Sequence, residues 1–183
     1  MRMAVIPAPD EADEGSDLLL WVLVWGELAA FGILLIGYLI MSMLHPESFA
    51  LAKLHLTPRL AGFNTVVLLA SSWQAALAAN SQDKPGRQRL FLLLAAALGF
   101  LFVALKFVEY SSEWTAAGSE NLQTFFELYF LITGFHLAHV AFVAALFVLA
   151  AIRLERSTIV ILTTVWHVID IVWLVMFPLI YLS

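Results

Sequence analysis

Long apolar runs alternate with short polar connections along the whole chain. A helix that crosses a bilayer needs about 20 mainly apolar residues, and five stretches reach that length. The first, LLLWVLVWGELAAFGILLIGYLIM (18–41), is interrupted only by Glu27, and the second, LAGFNTVVLLASSWQAALAA (60–79), holds no charge. The third, LFLLLAAALGFLFVALKFVEY (90–110), carries Lys106 and Glu109 near its end. The fourth, LQTFFELYFLITGFHLAHVAFVAALFVLAA (122–151), is over-long, so its first turns are expected above the hydrocarbon. The fifth covers 157–182. Between them lie HPESFALAKLHLTPR, NSQDKPGRQR, SSEWTAAGSE and RLER, whose Pro, Gly and charged residues mark loops. The pattern predicts an all-α integral membrane bundle of five transmembrane helices, residues 18–183, behind an acidic N-terminal tail, 1–17.

Composition strengthens this. The chain of 183 residues is 62% hydrophobic, where a soluble domain is nearer half. It has no cysteine, which excludes disulfides, iron–sulfur clusters and thiolate metal sites. The net charge of −5 comes largely from the tail PDEADEGSD, and no basic cluster suits a nucleic acid. Acidic residues ahead of a spanning-length run do not read as a cleaved signal peptide. With the N-terminus inside, the inner segments hold Arg2, Lys84, Arg87, Arg89, Arg153 and Arg156, and the outer ones only Lys53 and Arg59. The bias predicts N-terminus in and C-terminus out. Small residues four apart let helix backbones approach. Ser71, Ala75 and Ala79 form such a stripe on the second span, Ala95 and Gly99 on the third, and Gly134, Ala138 and Ala145 on the fourth.

The chemistry lies in polar residues at depth. At about 1.5 Å per residue, Glu27, His136, His139, His167 and Asp170 all fall in the middle band of the membrane. A charge there costs about 2.5–3.5 kcal/mol on insertion scales. The cost falls if the groups face one another, so the fourth and fifth spans are expected side by side, with Asp170 accepting from a histidine N–H. Nearer the outside, Lys106 and Glu109 are one turn apart and Glu127 lies at a comparable height. That group reads as an interfacial ion pair, with Tyr110, Trp114 and Tyr129 as interfacial anchors. Three roles compete for the midplane set: hydrogen bonds between helices, proton handling, and a haem or metal site. On the residues alone the structural role stands first, proton handling second and metal third.

Several strings together resemble a known family. WGELAAFG (25–32), FNTVVLLASSW (63–73), LKFVEY (105–110), LYFLITGFHLAHV (128–140) and WHVIDIVWLVMFPLIYL (166–182) resemble subunit III of the haem–copper oxidases. The LK-x-x-EY string and the FPLIYL ending are most similar to the five-helix branch represented by the nitric-oxide-reductase accessory protein NorE. The resemblance implies a non-catalytic subunit of the bacterial inner (cytoplasmic) membrane. It would have no cofactor of its own beyond bound phospholipid, and would lie beside a catalytic haem-containing subunit. It would support assembly, stability or proton uptake. The family's longer members carry lipids in a cleft opened by two extra helices, absent here. By resemblance, Glu27 matches the family's midmembrane carboxyl near the proton-uptake side, and Glu109 the carboxyl of the xxEY string. His136, His139, His167 and Asp170 match internal hydrogen-bonding positions rather than metal ligands. The alternative is a stand-alone haem-b or proton-handling protein.

Overall fold

The computed structural model describes residues 11–81, 83–117 and 122–182. Among them the chain forms six helices in the order α1 (Glu11–Leu44), α2 (Pro46–Lys53), α3 (Pro58–Ala79), α4 (Pro85–Ala117), α5 (Gln123–Arg153) and α6 (Arg156–Tyr181). Five of them, all but α2, are long and apolar enough to cross a membrane. The boundaries follow local chemistry. Pro46, Pro58 and Pro85 each open a helix, where the missing N–H costs nothing and the fixed φ is already helical. Leu154 ends α5 in the left-handed region, with φ 54°. That is the conformation that exposes a last-turn carbonyl to the backbone N–H of the residue beyond, and Leu154 N–H donates to Ala150 O at 2.8 Å.

Two expectations about extent are corrected. The connection 45–59 is not all loop, because PESFALAK folds as α2, with Phe49 and Ala52 buried. Its proline start, leading Glu47 and closing Lys53 suit a short helix. The tail and the first span also merge, since α1 begins at Glu11. The other residues assigned to the tail, 1–10, lie outside the described residues.

The core is built by α3, α4, α5 and α6. In α1 only 11% of the residues in its most apolar stretch are buried, against 50% in α6. It leans on α5 through Phe31, packed on Phe135, and Tyr38, packed on Phe125, both buried. The small-residue stripes work on two helices and fail on a third. Ser71, Ala75, Ala95 and Gly99 are buried, and Ser71 donates to the Ala95 carbonyl at 2.7 Å. Gly99 is required at its position: a Cβ there would lie 2.7 Å from Trp166 Cη2 and 3.2 Å from Ala144 Cβ. On α5, by contrast, Ala138 and Ala145 are exposed. The buried face of α5 runs instead through Thr133, Leu137, Val140, Ala144, Phe147 and Ala151. Spacing alone could not tell these two faces of an almost wholly apolar helix apart.

Candidate functional site

Polar side chains inside the bundle gather in three places. The first cluster centres on Lys106, which is completely buried. Its ammonium donates to Tyr181 Oη at 2.7 Å, Tyr129 Oη at 2.9 Å and Glu109 Oε2 at 3.1 Å. Glu109, equally buried, accepts from Tyr181 Oη at 2.6 Å and Tyr129 Oη at 3.2 Å. The rings of Tyr110, Tyr129, Trp173 and Tyr181 surround the cation at 5.0–5.5 Å from their centroids. A buried ion pair persists when further hydrogen bonds satisfy its remaining donors and lone pairs, and here the ammonium's three donors are all used. One turn on, Glu113 is buried with no hydrogen-bond partner for either carboxyl oxygen.

The expected Lys106–Glu109 ion pair forms, but it is enclosed by the bundle instead of lying on its surface. Lys106 and Glu109 are a core pin joining α4, α5 and α6. Glu127 does not take part; it is exposed and accepts from Gln123 at 2.7 Å. Tyr129 is no anchor, being fully buried within the pin, whereas Trp114 is 73% exposed. Lys106 and Glu109 come from LKFVEY and Tyr181 from FPLIYL. The LKFVEY and FPLIYL strings, far apart in sequence, are therefore brought together by the fold. Tyr181 was missed because a tyrosine near the chain end carries no sequence mark of burial.

The second place is the seam between α1 and α5. His139 Nε2 lies 3.2 Å from Glu27 Oε1 and 3.1 Å from Oε2, while Nδ1 lies 2.7 Å from the Phe135 carbonyl. A carbonyl only accepts, so Nδ1 carries a hydrogen. The Nε2–carboxyl contact then holds one proton, either as imidazolium with carboxylate or as imidazole with carboxylic acid. Both side chains keep about a fifth of their surface open, 23% for His139 and 20% for Glu27. His136, one turn earlier, points the other way. It is fully buried, stacked 5.1 Å from Trp173 and edge-on to Phe31 and Phe102, and neither ring nitrogen has a hydrogen-bond partner.

The third place is the α3–α6 seam. His167 Nδ1 meets Ser72 Oγ at 2.6 Å, and Trp173 Nε1 donates to Thr65 Oγ1 at 2.9 Å. Asp170 is buried with Ser72 as its polar neighbour, but among the described residues neither carboxyl oxygen meets a donor in good hydrogen-bonding geometry. The expected bond from a histidine of the fourth span to Asp170 is therefore absent. The physical reason is the direction of the polar face of α6, which is turned to α3. His139 is turned to α1 and His136 is boxed in by aromatic rings. Ser72 was overlooked because a serine in an apolar run carries no signal of its own. The midplane residues do not form one network: Glu27 and His139 meet, His167 and Asp170 both lie against Ser72, and His136 has no hydrogen-bond partner among the described residues. Among the described residues no three His, Asp or Glu side chains converge in a way that could hold a metal ion.

The fold and these seams define a class: a multi-pass membrane protein, one helical bundle whose buried polar groups tie helices together. The family model for cytochrome c oxidase subunit III matches residues 55–183, and the chain belongs to that family. It is 26% identical over 180 residues to the cytochrome bo(3) ubiquinol oxidase subunit 3 of Buchnera aphidicola subsp. Schizaphis graminum, covering 90% of this chain and 92% of that one. It is 32% identical over 138 residues to the cytochrome c oxidase subunit 3 of Synechocystis sp., covering 67% of this chain and 56% of the relative. With the probable quinol oxidase subunit 3 of Staphylococcus epidermidis it shares 23% identity over 178 residues, 88% of this chain and 86% of that one.

Proposed function

We propose that the chain is a non-catalytic accessory subunit of a haem–copper respiratory complex in the bacterial cytoplasmic membrane. It packs beside a haem-bearing catalytic subunit and supports that subunit's assembly, stability or proton uptake. The observation that carries this reading is membership of the subunit III family over 55–183. Relatives described as subunit 3 of ubiquinol and cytochrome c oxidases agree with it. The thinly covered α1, with Trp25, Ile33, Ile36 and Met43 all more than half exposed, supplies an apolar face for a partner or lipid. The Lys106–Glu109–Tyr181 pin, assembled from LKFVEY and FPLIYL, supports the NorE-type branch and hence a nitric oxide reductase as partner; a terminal oxidase is the other partner class. The shared proton of Glu27 and His139, at mid-membrane depth and partly open, supports the proton-uptake role. His139 and His167 are each engaged by another side chain of this protein, which supports placing the redox centres in the partner. Lys and Arg placement supports an inner N-terminus.

The test is affinity purification from the native membrane at native expression, with a haem spectrum and identification of what accompanies the chain. A haem–copper catalytic subunit is expected to copurify, and the chain stripped of it is expected to be colourless. A Soret band in the isolated chain, lost on changing His139 or His167, establishes the stand-alone haem protein instead. Copurification with no haem protein at all overturns the proposal.

A further inference from the structure

Where α5 gives way to α6, an open groove of about 500 Å³ runs between the two helices. Its walls are apolar along Leu146, Leu149 and Leu162, and its rim carries Arg153, Glu155 and Thr158. From Leu146 to Arg153 is about 10 Å of helix, ending where two spans end together, at headgroup level. The order of chemistry along the groove is therefore hydrocarbon first and charge last, which is the order found along a phospholipid.

The rim is selective as well as charged. Arg153 and Glu155 are both exposed, and among the described residues neither has an ion-pair partner. Glu155 stands at the N-cap of α6 but makes no capping bond with its side chain. Its Oε2 accepts from Thr158 Oγ1 at 3.3 Å, holding the carboxylate at the rim with Oε1 free. Among the described residues, the groove thus presents a guanidinium without an anion two residues from a carboxylate without a cation. A guanidinium takes a phosphate bidentately. A carboxylate takes a primary ammonium through hydrogen bonds that a quaternary ammonium cannot donate.

We infer that the α5–α6 groove is a binding site for a zwitterionic glycerophospholipid with a primary amine headgroup, phosphatidylethanolamine in chemical class. The phosphate lies on Arg153, the ammonium on Glu155, and an acyl chain runs along Leu146, Leu149 and Leu162. The site belongs to this chain alone and stands whether or not the proposed catalytic partner is correct. No residue of α1 lines it.

Native mass spectrometry tests this on the full chain, purified from its own membrane in mild detergent. The lipids offered are phosphatidylethanolamine, phosphatidylcholine and phosphatidylglycerol with the same acyl chains. Ethanolamine adducts are expected to exceed each of the others by about tenfold, the scale of one charge-assisted hydrogen bond. Arg153→Gln should lower retention of all three. Glu155→Gln should bring the ethanolamine lipid down to the choline lipid and leave the glycerol lipid no weaker. Leu149→Trp, which fills the apolar floor, should abolish all binding by a route independent of charge. Arg153 and Glu155 are exposed, so unchanged circular-dichroism melting of their variants separates lipid loss from unfolding. Equal retention of the three lipids by the unaltered chain overturns the site. So does ethanolamine retention that survives both charge substitutions, or a preference for the glycerol lipid.

Discussion

Lys106 Nζ lies 2.7 Å from Tyr181 Oη, a contact between residues 75 positions apart that ties α4 to the last turn of α6. Through Glu109 and Tyr129 the same ammonium also holds α5. Three of the four core helices thus meet at one buried cation.

Removing that cation should therefore be costly. Lys106→Met leaves the Glu109 carboxylate buried with only two phenols for company, and breaking a buried pair costs about 3–5 kcal/mol. A large drop in melting temperature in detergent is expected. Lys106→Met combined with Glu109→Gln should recover much of the loss, since the Glu109 carboxylate is no longer left as an unpaired charge. Wild-type melting of the single variant would show that the cluster contributes nothing to stability.

The α4–α6 contact admits no added carbon. Gly99→Ala places a methyl 2.7 Å from a fully buried indole, and overpacking of this kind costs about 1–3 kcal/mol. Adding Trp166→Leu to Gly99→Ala should relieve the clash while opening a cavity of its own. Melting curves of the two single variants and the double give the coupling, which should be favourable. Additive losses would mean that the helices separate instead of clashing.

Asp170 carries the opposite expectation from Lys106. Among the described residues its carboxyl meets no donor in good hydrogen-bonding geometry, so Asp170→Leu removes an unpaired polar group from low dielectric and should melt no lower than the native chain. A marked loss of stability would instead reveal a partner, such as an ordered water. If stability holds but the assembled complex loses proton uptake or turnover, the carboxyl serves function at a cost in stability.

Among the described residues, the Glu27–His139 pair is the polar contact between α1 and α5. A double-mutant cycle with Glu27→Gln and His139→Leu should return a coupling of about 0.6 kcal/mol, and no more than roughly 1.7, the range for hydrogen bonds between membrane helices. Zero coupling would leave Phe31, packed 5.0 Å from Phe135, as the holding contact of that seam.

How much could be read without coordinates depended on the length scale of the signal. Five spans were legible because a bilayer demands a long apolar run from each, and a Glu or Lys inside such a run is conspicuous. The short helix 46–53 was not legible, because eight residues of mixed polarity look like any loop. The pairing of Lys106 with Glu109 was legible from their spacing of one turn; that Glu27 and His139 would find each other was not.

The sequence by itself determined the class of molecule: the number of spans, because each needs a long apolar run, and the family, because its strings are local. Only the tertiary structure decided rotation about the helix axes. An almost uniformly apolar helix offers little preference for which side faces lipid, so packing chose whether α5 buries Thr133 or Ala138. The same choice sent His167 to Ser72 instead of giving Asp170 a histidine, and it closed four aromatic rings around Lys106.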